Sequence, residues 1–212
     1  MEVDRLAPGD ELNTGPPTVP RQAASVIVLR ESGAGMEVLL LRRNPAARFV
    51  GGAWVFPGGA IDAHEGDGEH SQRLAAVREV EEEAGLRLPD PASLVKFSRW
   101  ITPPQYAIRF DTHFFLAVAP PGQEARADGD EIVDLAWHTP AGALAAHRRH
   151  ELELVFPTYK QLEQLTGFAS VAALLEWAGD REVVAVEPQL QITGETARIV
   201  LPNVTSPKAS AT

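Results

Sequence analysis

Apolar positions along the chain fall into short extended runs, one long stretch of helical spacing, and then a second set of helices. Ala23 to Leu29 (AASVIVL) predicts a buried strand from its β-branched content. Glu31 to Gly35 predicts a turn, with Met36 to Leu41 as the hairpin partner. Arg42 to Val50 is a polar loop. Ala53 to Phe56 is short and extended, and Pro57-Gly58-Gly59 breaks it. Residues 60–70 are polar and glycine-rich, so a loop is predicted. From Ser71 to Ala84 the period changes: Leu74, Val77, Val80 and Ala84 keep helical spacing, and Gly85 falls where a C′ glycine ends a helix. Leu94 to Ile101, Arg109 to Val118 and Ile132 to His138 read as strands. The first two are joined through Thr102-Pro103-Pro104, and an acidic loop at 119–130 precedes the third. Thr139-Pro140 predicts an N-cap and a first-turn proline for a helix to about residue 148. Further helices are predicted at 157–166 and at 170–178, the latter capped by Ser170. Val183 to Val186 and Gln189 to Leu201, with Thr193-Gly194-Glu195 at a turn, suggest a terminal hairpin.

These elements divide the 212 residues into a flexible N-terminal arm at 1–20, a main domain at 21–179 with helical elements at 140–178, and a C-terminal hairpin and tail at 180–212. The arm is proline- and glycine-rich, with no basic start and no apolar core, so it does not read as a signal peptide. A hydrophobic fraction of 44% suffices for a packed interior. No apolar run reaches membrane-spanning length. The absence of cysteine excludes disulfides, thiol chemistry and cysteine-zinc sites. A cytoplasmic protein is the resulting expectation, without a membrane partner. The net charge of −10 argues against a nucleic-acid partner, though not against a small anionic ligand held through metal.

Five of the six residues from Arg78 to Glu83 are charged. On a helix Glu79, Glu82 and Glu83 share one face at i, i+3 and i+4. Like charges at those offsets repel by roughly 0.2–0.5 kcal/mol per pair. Arg78 offsets one of them as the i, i+4 partner of Glu82. The acids also occupy the last turns, where the macrodipole disfavours them. Either the run is a solvated helical face, or a divalent cation reverses the sign of the argument. All-oxygen ligands select hard ions, hence Mg²⁺ or Mn²⁺. Glu81 points elsewhere and reads as a surface charge.

At these residues the chain resembles the Nudix hydrolases, whose box is G-x5-E-x7-R-E-U-x-E-E-x-G-U, with U a bulky apolar residue. Arg78, Glu79, Val80, Glu82, Glu83, Gly85 and Leu86 fit the right half, and Gly59 and Glu65 the left. Twelve residues separate Glu65 from Arg78 where the family has seven, an insertion of five in the glycine-rich loop. Glu69 is therefore a competitor for the position of Glu65. The resemblance implies an α/β (α+β) fold, the Nudix α/β/α sandwich with a mixed β-sheet, here with extra C-terminal helices and a small hairpin. It implies metal ligands at Glu79, Glu82, Glu83 and the Gly58 carbonyl, with Arg78 orienting a glutamate. The implied reaction is hydrolysis of a nucleoside diphosphate linked to another moiety.

Upstream, LLLRRNPAARFVGGAWVFPGG resembles the pattern of coenzyme A-type Nudix diphosphatases, L-[LF]-T-x-R-[SA]-x3-R-x3-G-x3-F-P-G-G. Leu39, Leu40, Arg43, Arg48, Gly52 and Phe56 to Gly59 match, whereas Leu41 and Asn44 depart. Arginines suit the phosphates of coenzyme A through paired donors. Two further stretches, Lys96 to Ala117 and Val155 to Ala178, are similar to the peroxisomal coenzyme A diphosphatases that carry an insertion in the box. The C-terminal SPKASAT is not a peroxisomal address. The resemblance thus implies substrate contacts at Arg43, Arg48, Gly52, Phe56 and Gly59. Arg109 either holds phosphate or pairs with Asp111, which shares its strand face.

The chemistry also needs a general base. A helix carboxylate or a loop acid could serve, with Glu131 the loop candidate as base or additional ligand, and Glu124, Asp128 and Asp130 its competitors. Trp54, Trp100, Trp137 and Trp177 read as core or interface. A coenzyme A or acyl-CoA diphosphatase, an enzyme for ADP-ribose, NADH or a nucleoside-diphosphate sugar, and a non-catalytic nucleotide-binding domain all remain open. The partner is in each case a small nucleotide-type molecule, and the resemblance is compatible with a homodimer.

Overall fold

A computed structural model describes residues 2–3, 11–179, 181–193 and 196–201. In chain order, β1 (Glu2–Val3), β2 (Arg21–Ser32), β3 (Gly35–Arg43), β4 (Trp54–Val55) and β5 (Gly58–Ala60) precede α1 (Glu69–Ala84). β6 (Val95–Ile101), β7 (Phe110–Val118) and β8 (Ile132–His138) lead into α2 (Pro140–Arg148), α3 (Phe156–Leu165) and α4 (Val171–Gly179). β9 (Ala185–Val186), β10 (Gln189–Thr193) and β11 (Thr196–Val200) end the described chain.

The large sheet is mixed and runs β4-β3-β2-β7-β6-β9, with β5 added beside β2 and β8 beside β3. β2 is parallel to β7 and antiparallel to β3 and β5. Both faces of β2 are covered, which is why its apolar run is unbroken rather than alternating. Val26 and Val28 pack with Ala75, Ala76 and Val80 of α1. Ile27 and Leu29 pack on the other side with Leu162, Leu165 and Leu174 of α3 and α4. The result is the expected mixed α/β sandwich. The tryptophans sit in these two cores or against them.

Local signals explain the element ends. Thr139 Oγ1 accepts the Gly142 N–H at 3.1 Å at the start of α2. Gly85 ends α1 with φ +65°, and its N–H reaches the Glu81 carbonyl at 3.0 Å. Three details differ from the sequence reading. Gly58–Ala60 is a strand on β2 and not merely a break, because Ser25 Oγ and the Val26 N–H both bond the Pro57 carbonyl and pin the turn before it. Helix α1 begins at Glu69, two residues before Ser71. Ala185–Val186 joins the large sheet parallel to β6, while β10 and β11 form the hairpin and β1 pairs with β11. In the arm, whose described residues are 2–3 and 11–20, Asn13 N–H meets the Gln105 carbonyl at 2.7 Å and Ala107 N–H the Glu11 carbonyl at 2.8 Å. Residues 1, 4–10, the tip of the hairpin and the tail from 202 lie outside the described residues. Among the described residues, no helix is long and apolar enough to cross a membrane.

Candidate active site

The acidic face of α1 looks onto β5. Glu83 is almost fully buried, its side chain 4% exposed, and its Oε2 accepts the Gly58 N–H at 2.8 Å. Glu79 is 14% exposed and Glu82, at the rim, 59%. The double glycine is a steric requirement. A Cβ on Gly59 would stand 2.2 Å from Glu79 Oε1, and one on Gly58 would stand 2.5 Å from the Ala24 carbonyl oxygen. Only glycines let β5 lie between β2 and the helix carboxylates.

Burial pushes the Glu83 carboxyl up to about 8. The Gly58 N–H and Arg43 oppose that shift, while the neighbouring charges of Glu79 and Glu131 add to it. Burial likewise raises Glu79, against the attraction of Arg78. Burial thus disfavours the ionised form of both carboxylates.

Arg78 organises the rim. Its Nε donates to Glu65 Oε1 at 3.0 Å and its Nη2 to the Ala60 carbonyl at 3.2 Å. Nη1 donates to Glu79 Oε1 at 2.7 Å and to Glu82 Oε2 at 3.0 Å. The Glu65 contact, first among these, raises the Arg78 pKa. Burial alone would raise Glu65 as well, but the Arg78 donors and the Asp62 N–H hold it below the usual carboxylate value. Glu69, the competitor, turns away to Arg73 and Lys96, each at 2.7 Å. The longer spacing is absorbed by Gly66, Gly68 (φ +79° and +91°) and the early start of α1.

The second wall comes from the end of β3. Arg43 Nη2 meets Glu131 Oε1 at 2.5 Å, and Nη1 lies 3.9 Å from Glu83 Oε1. The next residue, Asn44, donates its N–H to the Glu131 carbonyl at 2.8 Å and its Nδ2 to the Asp130 carbonyl at 2.9 Å. Asp128 Oδ1 accepts the Glu131 N–H at 2.8 Å and closes the loop from within. Glu131 is therefore the loop acid that reaches the site. Glu124 lies beside Arg126 at 3.9 Å, with both side chains more than four-fifths exposed.

The remaining candidates separate. Arg48 is exposed and has no hydrogen bond or ion pair among the described residues. Gly52 (φ +82°) closes the arginine loop, its N–H returning to the Arg43 carbonyl at 3.2 Å. Phe56 is 3% exposed in the core on the α2–α4 side, so it anchors the turn and is not presented to a ligand. Arg109 is not brought to the acids. It is buried, with Nε on the Thr102 carbonyl at 2.9 Å, Nη1 on the Thr18 carbonyl at 2.6 Å and Nη2 on Glu187 at 2.6 Å. Asp111 pairs instead with Arg99, at 2.6 Å. A strand pattern cannot name partners that arrive from the two chain ends.

Among the described residues, no three acidic or imidazole groups stand close enough as they are to hold a metal ion. Arg78 Nη1 bridges two of the acids. The donor chemistry nevertheless fits a hard divalent cation: the ligands are oxygens, and two are buried with raised pKa values that a cation would relieve. The Gly58 group seen to meet the helix is its N–H, not its carbonyl. Sequence reasoning missed the hook made by Asn44 and the Asp62–Glu65 turn, whose D-x-x-E spacing is a capping signal that would have decided for Glu65.

A profile described as NUDIX domain matches residues 19–159. The acyl-coenzyme A diphosphatase NUDT19 of Gallus gallus is 31% identical over 114 residues, 50% of this chain and 30% of that one. Its Homo sapiens counterpart is 29% identical over 200 residues, 87% of this chain and 50% of that one. The chain spans half or less of the length of these two curated relatives. The crystal structure of a NUDIX hydrolase from Alicyclobacillus acidocaldarius superposes with a TM-score of 0.68 at 26% identity, over 75% of this chain and 96% of that one.

Proposed function

The chain belongs to the Nudix family, and on that premise we propose that it hydrolyses the diphosphate of coenzyme A or an acyl-CoA, giving 3′,5′-ADP and (acyl-)4′-phosphopantetheine. The observation that carries the substrate is the arginine loop of residues 39–59, in a chain whose relatives include proteins named acyl-coenzyme A diphosphatases. Nudix hydrolases generally use divalent metal ions. Glu79, Glu82 and Glu83 would hold Mg²⁺ or Mn²⁺ here, while the Gly58 N–H steadies Glu83. When bound, the ion neutralises diphosphate oxygens and lowers the pKa of water. Arg78 keeps Glu79 and Glu82 in place through its Glu65 anchor. Glu131 accepts the proton of the attacking water. Arg48, exposed at the loop tip, is free to meet the 3′-phosphate.

The test is a panel of coenzyme A, an acyl-CoA, ADP-ribose and NADH with Mg²⁺, products being separated by anion exchange. Coenzyme A or acyl-CoA should be turned over at least about tenfold better than the others in kcat/KM. A preference for ADP-ribose would refute the substrate and keep the hydrolase; no turnover of any member would remove both.

A further inference from the structure

Alternation along β3 sends Leu39, Leu41 and then Arg43 to the α1 face, where the two leucines join the core. Pairing of β3 with β8 shifts at this point: Arg42 faces Asp134, but Arg43 faces Ile132, so Val133 is passed over. The shift draws Glu131 to Arg43. Asn44 fixes the backbone of Glu131 and Asp130 from the same strand end. The Glu131 side chain is still 54% exposed, and among the described residues its side-chain partner is Arg43 Nη2 at 2.5 Å. The Arg43 side chain is only 18% exposed and lies between that acid and buried Glu83. Its Nε is buried and has no hydrogen-bond partner among the described residues.

We propose that Arg43 is a positioning residue, which holds the Glu131 carboxylate against the acidic face of α1 so that loop acid and helix acids act as one cation-binding and proton-accepting site. The arginine of the coenzyme A-like pattern then serves the catalytic centre, and phosphate recognition falls to Arg48. A planar fork can face two carboxylates at once, whereas a lysine ammonium is a point charge and would hold one. The inference rests on the hydrolase reading for its proton-accepting half, while the docking of Glu131 is separable from it.

The experiment is a double-mutant cycle with R43A, E131Q and R43A/E131Q in the full chain, each first checked for a cooperative melt. R43K replaces R43A if the alanine variant does not fold. Calorimetric titration of the metal-free protein with Mn²⁺ alone is the first readout. E131Q should weaken Mn²⁺ about five- to tenfold in the parent and less than about twofold in R43A. Additive losses, or no effect of E131Q in the parent, would overturn the proposal. The second readout is kinetic, on whichever panel substrate is turned over. R43A and E131Q should each lower kcat more than about tenfold with KM within about threefold, and the double variant should be no worse than the poorer single one. A raised KM with kcat kept would make Arg43 a phosphate ligand and overturn the assignment. If no substrate is turned over, the hydrolase reading fails on its own and the Mn²⁺ cycle still decides the docking.

Discussion

Glu83 gives the sharpest energetic test. Its carboxyl is pushed by burial from 4.5 to about 8. Between those values the folded chain keeps a proton that the unfolded chain releases. Stability from this group is therefore full below about pH 4.5 and is lost as pH rises through about 8. One proton corresponds to roughly 1.4 kcal/mol per pH unit, so the whole window is worth up to about 5 kcal/mol, and about 2–3 after relaxation of the pocket. Glu83→Gln keeps an oxygen for the Gly58 N–H and cannot ionise. In urea unfolding followed by tryptophan fluorescence in EDTA, the variant should gain on the parent steadily from pH 5 to 8 and then level off. Mn²⁺ should narrow the gap at pH 8, because a bound cation favours the ionised parent. A gap that stays constant across pH 5–8.5 would show that Glu83 is not held protonated, and the burial argument would fail.

The two glycines should fail differently. In Gly58→Ala the new methyl meets β2 backbone, so a loss of about 1–3 kcal/mol by urea unfolding is expected. In Gly59→Ala its nearest neighbours are atoms of the movable Glu79 carboxylate, so turnover should fall with less than about 1 kcal/mol lost; the reverse order would contradict the packing. Glu82→Gln, at the exposed rim, should lower kcat about a hundredfold or more while the melting temperature stays within a few degrees, and unchanged turnover would remove Glu82 from the ligand set. Arg109→Met should destabilise by about 2–4 kcal/mol and leave KM unchanged, since the guanidinium ties both chain ends to the sheet; a selective rise in KM would return it to the substrate site.

The fold was largely legible because its signals are local. β-Branched runs, the 3.6 period of α1, the Thr139-Pro140 start and Gly85 each act within a few residues. The acidic face of α1 was legible for the same reason. What escaped depends on distant partners. Arg109 and Asp111 flank Phe110 at strand spacing yet pair with Glu187 and Arg99, neither of which their spacing could indicate. Arg43 fits a phosphate pattern, but a register shift in β8 places an acid against it. Phe56 sits in a matching motif and is spent on the core.

The stretch from Gly66 to His70 has one further use. The Glu65 side chain is fastened by Arg78 on one side and the Asp62 N–H on the other, so its place does not depend on the length of the stretch that follows. That makes the stretch a natural seat for a grafted reporter, such as a short tag or a cysteine-coupled dye at Asp67. In a chain with no other thiol, one dye there would attach at a single known point, on backbone that Ser71 Oγ ties to the first turn of α1 at 3.1 Å.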